Sequence, residues 1–346
     1  MDSLFEKAIE TGNLSREEII RLLSLDDKES VARLFAVADQ VRKKECGDDV
    51  HIRGLIEFSN ICMRNCLYCG LRLENAKVRR YRMGIDEVVK AAVKVGKYGV
   101  GTVVLQSGED PWFTAERMAE IIQKIKSEVD CAVTLCIGER SSEDYRIMKK
   151  AGADRFLLRH ETANSELYRR LHPGMSFENR LRCLNNLREH GYQVGAGNIV
   201  GLPGQSVADL ADDALFVKEL DADMVGIGPF IPHPNTPLAN YPGGSLGMSL
   251  KMVAVVRIVT RNALIPATTA VGTVDPFGRE KALMAGANVV MPNFTPLEYR
   301  VHYEIYPAKR CITEDPQQAL ADIRARIESI GRKVATGPGH SLKKRL

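Results

Sequence analysis

Three cysteines stand within eight residues of each other, in the run Ser59-Asn60-Ile61-Cys62-Met63-Arg64-Asn65-Cys66-Leu67-Tyr68-Cys69-Gly70. Their spacing is C-x3-C-x2-C. Thiolates are soft ligands, and three on one short loop can converge on a soft metal centre. A structural zinc takes four closed ligands. Here there are three, and no nearby histidine supplies a fourth. A [4Fe–4S] cluster ordinarily takes four cysteines. With three, one iron is left for a non-protein ligand, and an open position is what catalysis needs. The other five cysteines, Cys46, Cys131, Cys136, Cys183 and Cys311, are scattered. A secreted disulfide scaffold would be smaller and differently spaced. The pattern predicts a reducing compartment and a metal or redox site.

Such a loop needs a frame. Short apolar runs recur at residues 52–58, 102–105, 132–137, 155–158, 193–200, 224–230, 265–271 and 287–292. Helical patterns lie between them at 85–98, 114–129, 142–151, 176–190, 206–220, 249–261 and 277–285, several of them ending at a glycine. Glycine suits a helix end because it takes the left-handed conformation without strain. Strand and helix alternate eight times, which predicts a parallel sheet with crossover helices. The expected fold class is α/β, a complete (β/α)8 barrel with an N-terminal helical cap and a C-terminal helix; an open doubly wound sheet is the alternative. In both, ligands sit at the C-terminal ends of the strands. The cysteine loop follows the first strand, and other polar residues after strands become candidates.

The cysteine loop, with Tyr68 just before its last thiol, resembles the radical S-adenosylmethionine (SAM) superfamily. The resemblance implies a [4Fe–4S] cluster held by Cys62, Cys66 and Cys69. Its open iron would bind the amino and carboxylate groups of SAM, and one electron would release a 5′-deoxyadenosyl radical. Gln106-Ser107-Gly108-Glu109 looks like the superfamily's Gly-Gly-Glu segment, which binds the SAM ammonium, with Ser107 in place of the first glycine. Glu161 is implied as acceptor for the ribose hydroxyls, and Arg180 as partner of the SAM carboxylate, where a guanidinium fork suits both oxygens. Arg159 and His160 are expected to add donors at the barrel mouth. Gly197-Asn198-Ile199-Val200-Gly201 is similar to the segment that packs on adenine. Tyr68, Thr134, Met224 and Ile231 complete the implied SAM set.

Further segments resemble the [FeFe]-hydrogenase maturase HydE family. They are Arg159-His160-Glu161-Thr162-Ala163-Asn164, Ser176-Phe177-Glu178-Asn179-Arg180, Gly226-Ile227-Gly228-Pro229-Phe230-Ile231-Pro232-His233-Pro234, Ile265-Pro266-Ala267-Thr268-Thr269-Ala270 and Ala287-Asn288-Val289-Val290-Met291-Pro292-Asn293. This resemblance implies action on a small iron–cyanide–carbonyl–cysteine precursor in assembly of the hydrogenase diiron centre. The implied partners are HydG, HydF and an electron donor such as a flavodoxin or ferredoxin. Arg159, Thr268, Thr269, Met291, Asn293, Tyr303 and Tyr306 are the expected substrate residues. Some members carry three further cysteines for a second cluster. Here Cys311 stands with Ala319 and Asp322, so one cluster is expected. Cys131, Cys136, Cys183 and Cys311 then read as buried thiols, and Cys46 as a surface one. Methylornithine synthase is a related alternative; the neutral residues after strands seven and eight favour HydE over it. A non-enzymatic iron–sulfur carrier is a more distant one.

Composition bounds the rest. The 346 residues are 45% hydrophobic and 27% charged, with a net charge of +4. That fits a soluble globular protein and is too balanced for nucleic-acid binding through bulk charge. No apolar run is long enough to cross a membrane, and the N-terminus does not read as a secretory signal. A cytoplasmic location is expected. The expected organisation is a helical extension over residues 1–50, a barrel over 51–312, and a C-terminal helix with a loose basic tail over 313–346.

Overall fold

The computed structural model describes residues 1–309 and 315–343. Cys311, the boundary at 312 and 313, and the basic Lys344 and Arg345 lie outside the described residues.

Helices α1 (Asp2–Glu10), α2 (Arg16–Leu23) and α3 (Lys28–Cys46) open the chain. The Ser15–Glu18 capping box starts α2, as the Ser-x-x-Glu pattern predicts. Then come β1 (Asp49–Ile52), β2 (Gly54–Ser59), α4 (Ile85–Lys97), β3 (Thr102–Ser107), α5 (Ala115–Glu128), β4 (Ala132–Cys136), α6 (Ser142–Lys150) and β5 (Arg155–Leu157). Two helices, α7 (Ser165–Leu171) and α8 (Phe177–Glu189), precede β6 (Gln193–Val200), α9 (Val207–Glu219), β7 (Met224–Pro229) and α10 (Leu246–Thr260). The chain continues through α11 (Thr269–Val274), α12 (Gly278–Met284), β8 (Val289–Val290), α13 (Leu297–Arg300), α14 (Pro316–Ser329) and β9 (Lys333–Val334).

Strands β2 to β7 form one parallel sheet in sequential order. A second sheet has the order β8-β1-β9. The regular ladder therefore holds six of the eight expected parallel strands. The expected seventh, at 265–271, is a pair of bridges, Met224 to Leu264 and Pro266 to Val289. Pro266 lacks a backbone N–H, which interrupts any ladder there. Its C-terminal half instead becomes α11.

Helix α10 reads LGMSLKMVAVVRIVT and is buried along most of its length. A helix apolar on all sides needs cover on all sides. β7 lies on one side of it, and α1, α2, α3 and α9 pack around the rest. The N-terminal helices thus cover an outer flank next to α9 and α10.

The tail after α14 is not loose. β9 pairs with β1, and residues 337–341 run across the end of the sheet where the strands begin. Arg155 Nη2 and Thr102 Oγ1 each donate to the Pro338 carbonyl at 2.7 Å, and Arg53 Nη2 donates to that of Gly339 at 3.3 Å. Arg53 and Arg155 are both buried. The backbone of the tail supplies acceptors for two guanidinium groups that would otherwise be buried with few partners.

Candidate functional site

The loop after β2 is folded against itself and against the loop after β3. Cys69 N–H donates to the Cys66 carbonyl at 3.2 Å, and Arg72 N–H to that of Cys69 at 3.1 Å. The Cys62 sulfur accepts backbone N–H groups of Arg64 and Glu109, both at 3.4 Å. Such bonds stabilise a thiolate ligand. Gly108 permits this contact, since a Cβ there would lie 2.8 Å from the Cys62 Cβ. Burial pushes all three thiols up, Cys69 to about 12, with mutual repulsion adding at Cys66. Three neighbouring thiolates at this depth need a compensating cation, and iron would supply it. No three His, Cys, Asp or Glu side chains among the described residues are close enough to share a single metal ion. A cuboidal cluster makes a different demand, because each thiolate meets its own iron. The donor set fits that group.

Tyr68 is held by its hydroxyl, 2.8 Å from His172 Nε2. His172 Nδ1 faces the Tyr168 carbonyl at 2.7 Å and so carries the proton. Nε2 then accepts from Tyr68. The His172 ring stacks on Tyr168 at 4.1 Å.

A chain of four charges runs beside the cysteines. Arg64 pairs with Glu109. Arg64 Nη2 also reaches Glu139 at 3.3 Å, and Arg180 Nε donates to Glu139 at 2.9 Å. Asn179 Nδ2 adds a third bond to Glu139, at 2.8 Å. Glu109 Oε1 in turn accepts the Glu139 N–H at 3.0 Å. Gly138 (φ +77°) makes this approach possible, because a Cβ there would sit 2.0 Å from the Glu109 side chain. Arg64 and Glu139 were not among the sequence candidates. Glu139 follows β4 as Glu109 follows β3 and Glu161 follows β5, so the strand-end rule points to it when applied evenly.

Two acceptors face inward without a hydrogen bond. Thr134 Oγ1 on β4 and Glu161 Oε2 after β5 are buried and have no hydrogen-bond partner among the described residues. Arg159 Nε forms an ion pair with Glu161 Oε2 at 3.6 Å, too long for a hydrogen bond. Glu161 also has a positive φ, 66°, which a non-glycine residue adopts at a cost of about 1–3 kcal/mol. Its backbone is held there on both sides, N–H to the Gly197 carbonyl and carbonyl to the Ile199 N–H. Gly197 itself (φ +155°) leaves no room for a side chain against Gly226.

Several expected residues lie elsewhere. His160 is not at the mouth. It is fully buried, accepts the Gly197 N–H at 3.2 Å, and turns Nε2 toward Asp213 on α9 at 3.3 Å. Met224 begins β7, so it lies at the far end of that strand from the cysteine loop. It packs with Leu264, Val289 and Met291, and its sulfur accepts from Arg53 at 3.0 Å. Cys46 is half-buried and accepts from Arg257 at 3.3 Å, and Cys136 is only half-buried. Cys131 and Cys183 are buried. Ile231 follows β7 and is half-buried.

Inside the sheet, Gln106 Nε2 donates to the Tyr303 hydroxyl at 3.3 Å. Ser107 bonds the Gly108 carbonyl. Thr268 Oγ1 donates to the Ile227 carbonyl at 2.9 Å, and the Thr269 carbonyl accepts from Thr273. Tyr306 shares a hydrogen bond with Thr273. Asn293 Nδ2 donates to Glu57 Oε2 at 2.8 Å, and Glu57 pairs with Lys309, whose ammonium lies 4.9 Å from the Tyr303 ring centre. The region after the last strands is therefore not all neutral: a buried ion pair sits behind Asn293. Glu57 was hidden in an apolar strand, and Lys309 in a segment without periodicity.

Comparison with known proteins bears on this arrangement. A family model of the radical SAM superfamily matches residues 56–217. The [FeFe] hydrogenase maturase subunit HydE of Thermotoga maritima is 52% identical over 325 residues, covering 94% of this chain and 93% of that protein. The 3-methylornithine synthase of Methanosarcina barkeri is 30% identical over 339 residues, covering 96% and 94%. The crystal structure of methylornithine synthase (PylB) superposes with a TM-score of 0.84 at 28% identity, covering 96% of this chain and 97% of that one.

Proposed function

Because the chain belongs to the family of the [FeFe]-hydrogenase maturase HydE and contains a radical SAM domain, we propose that it acts on a small iron–cyanide–carbonyl–cysteine precursor in building the hydrogenase diiron centre. It is a radical SAM enzyme, and its cofactors are a [4Fe–4S] cluster and SAM. The observation that carries the reading is 52% identity across nearly the whole chain, against 30% for methylornithine synthase. When bound, the cluster supplies one electron and SAM supplies the 5′-deoxyadenosyl group that leaves as a radical.

The chain's own residues have these roles in the reading. Cys62, Cys66 and Cys69 each hold one iron. Arg180, oriented by Glu139, faces the SAM carboxylate, and Glu109 with Gln106 and Ser107 serves the ammonium. Glu161 and Thr134 accept from hydroxyls, which suits buried oxygens that have no hydrogen bond of their own. Tyr68, fixed by His172, closes the loop, and Ile231 adds apolar contact. Arg159, Thr268, Thr269, Met291, Asn293, Tyr303 and Tyr306 line the substrate space. Met224 is assigned to packing.

The complete eight-stranded barrel is part of the same reading. The bridges Met224–Leu264, Pro266–Val289 and Leu55–Asn293 support it, since they link the open side of the six-stranded sheet through β8 and β1. The division into a helical extension before residue 51, a barrel, and helix α14 after it belongs to the same reading. HydG as supplier of the precursor, HydF as recipient and a cytoplasmic location belong to it too. No helix among the described residues is long and apolar enough to cross a membrane.

An omission assay tests the function. Apo-hydrogenase is matured anaerobically with SAM, HydG and HydF, with and without this protein. Hydrogen evolution that requires the protein, and is lost with Cys62→Ser, is the expected result. SAM cleavage promoted by lysine without hydrogenase rescue moves the chain to methylornithine-synthase chemistry. Failure of the reconstituted protein to bind SAM leaves an iron–sulfur carrier.

A further inference from the structure

Reductive cleavage of a sulfonium consumes an electron, and the surface of the cysteine loop has the chemistry to receive its carrier. The stretch from Met63 to Met83 holds six basic residues, Arg64, Arg72, Lys77, Arg79, Arg80 and Arg82, and one acidic residue, Glu74. Its formal excess of five positive charges exceeds the +4 of the entire chain. Four of the six are committed to partners, some of them carboxylates beyond the loop. Arg64 pairs with Glu109 and Glu139, Arg72 with Glu74, and Arg82 with Asp110. Arg80 donates to the carbonyls of Asn60, Leu71, Arg72 and Asn75, fastening the loop down. Lys77 and Arg79 are exposed, and no ion pair of theirs occurs among the described residues. Two large apolar side chains stand out on the same loop, Met63 at 52% and Leu73 at 61% exposure. Leu73 N–H donates to the Arg64 carbonyl at 2.8 Å, which ties it to the cysteine run.

We propose that Met63, Leu73, Lys77 and Arg79 form the docking face for a small acidic protein that carries a single electron. This deepens the function proposed above and rests on it. The carrier is oxidised by one electron as the cluster held by Cys62, Cys66 and Cys69 is reduced by one, and no atom is transferred. The cationic rim attracts and orients an acidic partner. The apolar pair gives the contact a water-excluding centre. Because the face belongs to the loop that holds the cysteines, the electron has a short way to travel.

The test uses the cluster-loaded protein and, as probe, a low-potential ferredoxin of net negative charge. The dissociation constant is measured by titration, and cluster reduction by electron paramagnetic resonance. Binding is expected to weaken about tenfold from about 50 to about 500 mM salt. Lys77→Glu with Arg79→Glu weakens it at least about tenfold at low salt and slows reduction by the ferredoxin in proportion. Leu73→Ser weakens binding about fivefold with little change in salt dependence. Reduction by photoreduced 5-deazaflavin, a small neutral dye, stays at the wild-type rate in all variants. An unchanged dissociation constant after charge reversal overturns the proposal, as does equal binding of a basic cytochrome. If dye-driven SAM cleavage fails in the wild type, the radical SAM reading fails instead, and the dissociation constants still decide the docking face.

Discussion

Glu139 accepts hydrogen bonds from Arg64, Asn179 and Arg180 at once. It fixes the one arginine expected to meet a ligand carboxylate. Glu139→Gln keeps the size and removes the charge, so Arg180 loses a charge-assisted bond of about 1.5–3 kcal/mol. Titration of SAM into the reconstituted variant is expected to give an affinity about tenfold weaker or worse, with Arg180→Ala weakened as much. His172 yields a pH prediction. Burial holds it down to about 4, against 6.5 as the ordinary value. Between those values the unfolded chain takes up a proton that the folded ring refuses. The stability contributed by the neutral ring is whole above pH 6.5 and is lost as pH falls toward 4, by ~3 kcal/mol. His172→Gln removes that component. Urea unfolding should therefore show the largest gap between variant and wild type above pH 6.5, shrinking toward pH 4. At this scale, spacing and residue type point to the cysteines and to Glu109 and Glu161 after their strands, while Glu139 was passed over. They do not reveal His172, which meets Tyr68 104 residues away, or Glu57 and Lys309, which meet each other across 252 residues.

Elements were legible where their signals are local. Ser141, Ser176 and Ser206 each accept the N–H three residues on and start a helix, α6, α8 and α9. Helix α9 also carries Asp213, which meets His160 and Asn198 beneath the site. Ser206→Ala is expected to cost about 1 kcal/mol in chemical denaturation. Gly138→Ala is a harsher change, because both the positive φ and the Glu109 contact forbid a side chain. It should lower the melting temperature and weaken SAM binding together, read in one thermal-shift series with and without SAM. The elements missed by periodicity were short. Helix α7 has seven residues, α11 has six, and β9 has two. So few residues cannot display a period, and each is held by what it packs on.

At the scale of the molecule, the two ends of the strands have separate duties. Cysteines, the Glu139 network and Glu161 follow the strands. Arg53 and Arg155 lie at the opposite end and donate to carbonyls of the tail. Ending the chain after Ala335 removes those acceptors, and unpaired buried charge is costly. The shortened protein is expected to lose more than about 3 kcal/mol of stability yet to bind iron and sulfide in the same ratio, as unfolding and metal analysis would show. Strands β1 and β9 were not legible as such because β1, near the start, pairs with β8 and β9, near the end. That pairing also sets an order for synthesis. While the ribosome is still extending the chain, β1 has no neighbours on either side and both arginines wait for carbonyls not yet made. Strand β1 gains β8 once residues 289–290 have emerged, and it gains β9 and the acceptors for both arginines only with residues 333–341.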